Sequence, residues 1–434
     1  MSISNFEDSL LTLKGYFLAK RLMSKTQYFT RTEIEEYQIR AIYKLLNQVC
    51  TYIPYYKKLF WDYDFDVSKF DDLKKLRQLP ILKKKDLLDA PQDFIFANEA
   101  CRSLELSTSG TSGEPLKTFT SRNQWIIEQA SIWRHWKWAG YKFRDKMAIL
   151  RSYAPKNNEP IMKLNKLKNW LYVSPYHLDD KNGLEILKKL RKWQPKFLRG
   201  YPSSLYVLAV ISRNYDIKIP SLKAALTASE VLTDEYRRVI EETFKIKVFD
   251  HYGQAEITTM IHECEKHECL HLLEDYAYTE FKNIEGTEEK SLIATNLFNY
   301  AMPLLRYDTG DKVILSKKVC SCGRSFKGIK KIIGRSDLLL FHKKGYYIPS
   351  INLYTYFSKL KEVSKFQVIQ HNNNEIEVRI QLINANITSS KQIQYDIKNE
   401  FNDRFGTTID LKITNEFITG SGGKCNPIIQ KIKK

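Results

Sequence analysis

Ser107-Thr108-Ser109-Gly110-Thr111-Ser112-Gly113-Glu114-Pro115 puts five hydroxyls and two glycines into nine residues without a large apolar side chain, so it has no use in a core. Glycine lets the backbone approach a ligand closely, and successive N–H groups with Ser/Thr hydroxyls can converge on phosphate oxygens. The stretch reads as an anion-holding loop, with a flexible Gly/Ser turn as the plainer alternative. It is not the GxxxxGK[ST] phosphate loop, since no Lys follows Gly113 directly. Extended, alternating residues (103–106) precede it and a helix-compatible run (123–138) follows, which sets the loop between a strand and a helix start.

Working outward, 434 residues of which 43% are hydrophobic can bury a large core and point to two domains rather than one. Lys and Arg number 69 against 50 Asp and Glu, a formal charge of +19. Such an excess can signal nucleic acid or an anionic surface. Here the lysines are spread from Lys14 to Lys434 without a block and without a zinc-finger or RNA-binding signature, so they read as a solvated surface with no nucleic-acid partner. The opening residues carry Glu7 and Asp8 rather than a basic-then-apolar signal, and no stretch approaches 18 uncharged apolar residues. The expectation is a cytoplasmic protein without a membrane span. Seven cysteines, an odd number, do not make a disulfide framework.

Residues 1–50 read as helical, and the first hundred as a helical cap. Past the loop, strand-like runs (147–150, 196–198, 224–227, 248–251) alternate with helix-like ones (184–193, 205–214, 234–244), the pattern of parallel α/β units whose strand ends bind ligands. After residue 337 short strands (338–341, 346–348, 366–370, 375–382, 411–414) and helices (354–361, 391–405) suggest a small α+β domain.

Ser109-Gly110-Thr111-Ser112-Gly113-Glu114-Pro115 resembles the phosphate loop of adenylate-forming enzymes, the superfamily of acyl-CoA ligases, adenylation domains and luciferases. Asp250-His251-Tyr252-Gly253-Gln254-Ala255-Glu256 is similar to that family's YGxxE segment, Tyr307-Asp308-Thr309-Gly310-Asp311 to its TGD segment, and Gly334-Arg335-Ser336-Asp337 to its GRxxD segment, with the Asp one residue early. Thr419-Gly420-Ser421-Gly422-Gly423-Lys424 is similar to its Gly-Gly-Lys arm, although Asn426-Pro427 stands where the family often has another basic residue. Segments 50–56 and 76–87 resemble the opening of the phenylacetate-CoA ligase branch, of which a capsule-biosynthesis branch is part.

The resemblance runs along the chain in the family's order and carries specific expectations. It implies a large adenylate-forming domain (1–336), a hinge at 336–338 and a lid (337–434). It implies nucleotide contacts from Ser107, Thr108, Ser109, Gly110, Thr111, Ser112 and Gly113, from Ser229 and Glu230, from Asp250, His251, Tyr252 and Gly253, and from Asp311 and Arg335. A carboxylate such as Asp311 offers acceptors enough for the two ribose hydroxyls, and Glu256 would hold Mg²⁺, which takes hard oxygen ligands. Tyr201, Pro202 and Gly253 would line the acyl pocket, while Lys424, Glu256 and Thr111 would act in catalysis. The implied activity is ATP-dependent activation of a small carboxylic acid as its adenylate, followed by transfer to CoA. A carrier protein or a sugar amine is the alternative acceptor, and a non-catalytic zinc-stabilised nucleotide-binding scaffold the alternative of another class.

One constellation stands apart from that chemistry. His262, Cys264, His267, Cys269 and His271 fall within ten residues, and Cys320-Ser321-Cys322-Gly323-Arg324 brings two more thiols. In a reducing compartment this grouping suits structural zinc rather than disulfides. Cys264, His271, Cys320 and Cys322 are the assigned ligands, with Cys269 and His267 competent substitutes; relatives in the phenylacetate-CoA ligase branch look similar here.

Overall fold

The computed structural model describes residues 5–100, 103–107, 116–155, 159–178, 180–333, 340–341, 347–348, 353, 356–357, 360, 362–372, 375–382, 387–405, 408–418 and 428–431. The described residues within Met1–Thr108, Leu116–Phe143 and Phe249–Arg335 form one compact unit, and those within Arg144–Val248 and Ser336–Lys434 a second. No described helix is long and apolar enough to cross a membrane.

The first unit begins as helices, as the spacing of its apolar residues predicts. Thr30 opens the helix Arg31–Tyr52 with a capping box: its hydroxyl accepts from Glu33 N at 3.3 Å, and the Glu33 carboxylate accepts from Thr30 N at 2.7 Å. Ile34, Ile42, Leu45, Leu46 and Val49 then form one buried stripe at helical spacing. Gln38 interrupts this stripe without cost, because its amide donates to Glu274 O at 2.7 Å and Ala277 O at 3.2 Å. The stripe's lower end joins a core completed by Leu297, Met302, Leu304, Leu305 and Tyr307.

Seven strands of this unit form one antiparallel sheet, in the order Ala277–Asn283, Lys290–Asn296, Tyr307–Leu315, Gly328–Ile333, Leu270–Leu272, Met260–Glu263, Lys247–Gly253. The helix Arg122–Trp138 is anchored to the same unit by a buried ion pair. Arg134 meets Asp275 in a bidentate contact (2.5 and 2.9 Å), and Thr26 donates to the same carboxylate. The Gly/Ser loop differs from expectation at its far end. Lys117–Thr120 is a strand paired antiparallel with Leu104–Ser107, so the loop joins two strands of a hairpin and the helix starts only after it. The alternating Lys-Thr-Phe-Thr, two β-branched residues and an aromatic, accounts for that extra strand.

In the second unit the strands Met147–Leu150, Trp170–Val173, Phe197–Gly200 and Ala224–Ala228 are parallel and largely buried, with Met162–Asn165 added antiparallel at one edge. Helices Asp180–Trp193, Pro202–Asn214 and Asp234–Phe244 supply apolar faces to their shared core. The C-terminal part is a four-stranded sheet in the order Ile409–Ile413, Ile376–Leu382, Val363–Gln370, Ile428–Gln430. Helix Ile387–Phe405 buries Ile393, Ile397 and Phe401, four residues apart, in the same core as Val368, Val378 and Ile380. The expected α/β class with a small α+β C-terminal part is therefore present; the boundary assigned at 336/337 lies outside the described residues. The strand Ile428–Gln430 was not legible in advance.

Removing one partner of the Arg134–Asp275 pair leaves a charge stranded, since both side chains are about 2% exposed or less. Asp275→Ala is expected to cost about 3–5 kcal/mol in chemical denaturation, whereas Arg134→Met with Asp275→Leu should cost much less. Equal losses in the two variants would show that the pair's charge is not what matters.

Candidate functional site: two strand ends and a thiol–imidazole cluster

Two of the sequence-predicted segments meet in the first unit. Tyr252 OH donates to Asp311 Oδ2 at 2.7 Å, although 59 positions separate them. Behind that contact Thr258 donates to Gln254 Oε1 (2.7 Å), and Gln254 Nε2 donates to Tyr252 OH (3.1 Å), so hydroxyl, amide, phenol and carboxylate form one directed chain. Burial, reinforced by the Asp311 carboxylate, pushes the Tyr252 phenol well above its ordinary range and keeps it a donor. Asp311 is itself positioned by a bulged strand: its N–H donates to Thr309 Oγ1 (3.1 Å), whose hydroxyl donates to Leu292 O (3.0 Å). Gly310 takes φ +71° beside it, a conformation a side chain would resist.

Glu256 ends the other segment. Its Oε1 accepts from Tyr307 OH at 3.1 Å, and the buried Tyr307 is fixed in turn by pairing with Leu82. Thr118, on the strand that follows the Gly/Ser loop, donates to Ala255 O at 3.4 Å. Asp250 N donates to Glu263 Oε2 at 2.9 Å, and His251 and Gly253 lie on the same strand, directly opposite His262 and Met260. Ser107 is the last residue of the strand entering the loop. Thr108, Ser109, Gly110, Thr111, Ser112, Gly113, Arg335 and Lys424 lie outside the described residues.

The second unit holds the rest at the carboxyl ends of its parallel strands. Gly200 is needed for close approach, because a Cβ there would sit 3.0 Å from Leu150 O. Buried Tyr201 caps the helix that Pro202 begins, and Glu230 Oε2 accepts from Ser203 N at 3.1 Å, an anion at a helix N-terminus. Two residues that sequence reasoning missed stand here. Arg151 donates to Ser229 Oγ at 3.1 Å with its guanidinium 5.9 Å from the Tyr201 ring centre, and Ser152 Oγ lies 3.2 Å from Tyr201 OH. Ser152 (φ +57°) and Ser229 (φ +75°) both adopt left-handed backbone, strain that a fold retains where a site needs it. The signal was available in part, since Arg151 and Ser152 follow directly on the recognised strand 147–150.

The four assigned metal-ligating residues are brought together. One ligand atom from each of Cys264, His271, Cys320 and Cys322 lies within 4.8 Å of all the others. Cys264 Sγ is 3.6 Å from Cys320 Sγ, and Cys322 Sγ 3.4 Å from His271 Nε2. For ligands about 2.3 Å (S) and 2.0–2.1 Å (N) from a tetrahedral ion, the edges would be about 3.5–3.8 Å, so the donor set fits zinc. His267 does not contribute. Its Nδ1 is 3.0 Å from Glu263 Oε1 and its ring packs on Phe249. Cys269, buried, has its thiol pushed up to about 12, by burial first and then by Cys320. Arg324 closes the site from behind, its guanidinium 4.1 Å from the Trp138 ring centre and bonded to Glu265.

The chain is similar to known proteins along most of its length. The family model described as the CapK C-terminal domain matches residues 340–431. Protein CapK of Staphylococcus aureus is 26% identical over 451 aligned residues, covering 99% of this chain and 97% of that protein. Phenylacetate-coenzyme A ligase of Thermus thermophilus is 26% identical over 75% of this chain and 74% of its own, and that of Escherichia coli 23% identical over 88% and 91%. Among solved structures, 2-hydroxyisobutyryl-CoA ligase in complex with 2-HIB-AMP and CoA matches with a TM-score of 0.62 at 15% identity, covering 94% of this chain and 91% of that one. The open conformation of that ligase gives 0.60 at 16%, covering 93% of each. At such identity the likeness is one of fold. The resemblance to adenylate-forming enzymes and to the phenylacetate-CoA ligase branch is thus borne out.

Proposed function

We propose that this chain joins a carboxylic acid to the α-phosphate of ATP and then passes the acyl group to coenzyme A. The observation that carries the reading is the Tyr252–Asp311 contact with its neighbour Tyr307–Glu256, which brings the YGxxE and TGD segments together. The adenylate-forming fold and the ligase relatives support it. In the first step a carboxylate oxygen of the acid attacks the α-phosphorus and the bond to the β-phosphate breaks, so pyrophosphate leaves. In the second a thiol sulfur attacks the acyl carbon, loses its proton, and AMP departs.

Asp311 accepts the ribose hydroxyls in this scheme and Tyr252 orients it. Glu256 would hold Mg²⁺, whose charge offsets that of the triphosphate. Donors of the loop 107–115 and the Lys424 ammonium reduce the repulsion between two anions where charge builds. Tyr201, Arg151 and Ser152 would contact the acid; the Arg151 guanidinium would favour one with a further polar or anionic group. Zinc held by Cys264, His271, Cys320 and Cys322 would staple the fold with no open position for substrate. Use of ATP and coenzyme A fits action in the cytoplasm, and a carrier-protein thiol or a sugar amine would replace coenzyme A without altering the first step.

ATP–pyrophosphate exchange over a panel of acids is the test, and its acceptor arm, run with coenzyme A or a carrier protein, separates the two acceptors. Exchange with none of the acids, despite nucleotide binding, would favour the scaffold reading. Asp311→Ala should weaken ATP binding by about 1.5–3 kcal/mol, the worth of bonds to a charged group; unchanged affinity in calorimetry removes Asp311 from the site. Lys424→Ala should slow adenylate formation by roughly 10²–10³-fold while leaving transfer from a supplied acyl-adenylate intact. Equal loss of both half-reactions in a folded variant would reject that role. Metal analysis should find zinc retained through purification, and Cys264→Ser should lower both metal content and thermal stability, because structural zinc contributes folding free energy directly. Normal stability without metal would defeat the zinc reading.

A further inference from the structure

Three imidazoles sit in a row across the sheet of the first unit. His251 is directly opposite His262, and His262 directly opposite His271, on three neighbouring antiparallel strands. Directly opposed residues share one face of a sheet. At one end of the row His271 turns to Cys322. At the other, helix Arg122–Trp138 lays His135 over the remaining pair: ring centres are 4.4 Å apart for His135–His262, 4.7 Å for His251–His262 and 6.0 Å for His135–His251. Trp138, one helical turn beyond His135, stands edge-on between the two groups, 5.9 Å from His262 and 6.1 Å from His271.

His262 is the anomaly. It is fully buried, and neither of its ring nitrogens has a hydrogen-bond partner among the described residues. A neutral imidazole carries one N–H and one lone pair, and leaving both unmade in an interior forfeits the hydrogen bonds that water would have made to them. A Leu or Phe would fill the same space without that penalty. One nitrogen from each of His135, His251 and His262 lies within 4.8 Å of the other two. Around an ion bound at about 2.0–2.1 Å the nitrogens are roughly 3.0–3.4 Å apart, so modest side-chain rotations would close the three rings on it.

We propose that His135, His251 and His262 form a second metal site, separated by Trp138 from the thiol cluster, for a divalent transition ion held by three imidazoles. Nitrogen donors without a carboxylate suit zinc, copper, nickel or ferrous iron and disfavour magnesium and calcium. His251, the half-buried member, is the side from which the ion enters and where a water completes its shell. Gly253 fits beside it, since a Cβ there would lie 3.0 Å from His251 Nε2. His251 directly precedes Tyr252, so an ion here fixes the strand end that presents the Tyr252 phenol to Asp311. The site does not depend on the adenylation reading.

The test uses the full chain, stripped with chelator and dialysed against zinc or cobalt. The two-site chain should retain two ions, Cys264→Ser one, and His262→Phe one. Cobalt in Cys264→Ser should show ligand-field bands without thiolate charge transfer, and in His262→Phe ligand-field bands together with thiolate charge transfer. His251→Ala, at the half-buried position, provides a second variant should His262→Phe fail to fold. It should weaken the second ion by more than the roughly 10–100-fold that loss of an outer-shell partner costs. Identical metal content and cobalt spectra in the unaltered chain and in the folded histidine variants would overturn the proposal, leaving an ordered water as the occupant of the cluster.

Discussion

The register between the strands Lys247–Gly253, Met260–Glu263 and Leu270–Leu272 is the constraint on which the first unit's chemistry depends. Side chains alternate along a strand, so the pairing that sets His251 opposite His262 turns Tyr252 to the other face and toward Asp311. A slip of one residue would exchange the two faces, carrying the phenol under helix Arg122–Trp138 and the imidazole to Asp311. What holds the register is packing on both sides. On one side are the rings of His135 and Trp138; on the other is the small apolar cluster of Ile261, Leu272, Leu292, Val313 and Ile329.

Charge is handled differently inside this unit and at its site. Buried acids are matched to cations: Asp275 to Arg134, Glu274 to Arg31, Glu280 to Arg306. Such pairing offsets the cost of taking a carboxylate out of water. The two carboxylates of the candidate site each receive a neutral phenol donor, Tyr252 on Asp311 and Tyr307 on Glu256. A phenol orients a carboxylate without cancelling its charge, and that residual charge is what a magnesium ion or a ribose diol requires.

How much of this could be read in the sequence follows from what kind of information each feature carries. The parallel strands were legible, as 147–150, 196–198 and 224–227, because short apolar runs that alternate with helix-like segments have few other readings. Cys264, His271, Cys320 and Cys322 were legible because thiols and imidazoles at close spacing have few structural uses. The choice of His271 over His267 rested on resemblance, since it turns on Glu263 claiming His267, a contact between side chains that spacing does not record. Ser152 hid because backbone strain leaves no mark on a serine's identity. The strand 117–120 hid because four residues are too few to show a period. His135 and His262, 127 positions apart, meet only through a helix laid on a sheet, a relation that no one-dimensional pattern carries.

The same reasoning explains why this corner of the fold would need metal at all. The apolar cluster behind the strands has only five buried members, and the turns it must hold, 264–269 and 316–327, are chiefly polar, with Val319 93% exposed. A core that small contributes little against the entropy of ordering two long turns. Hydrogen bonds help locally, as where Glu268 accepts from Ser321 N and Oγ, yet these are surface contacts worth little singly. Ligands drawn from one turn, one strand and the other turn would cross-link all three at once. Such a staple would sit one strand away from His262 and two from Tyr252, so the rigidity it conferred would be delivered to the strand end where the phenol meets Asp311.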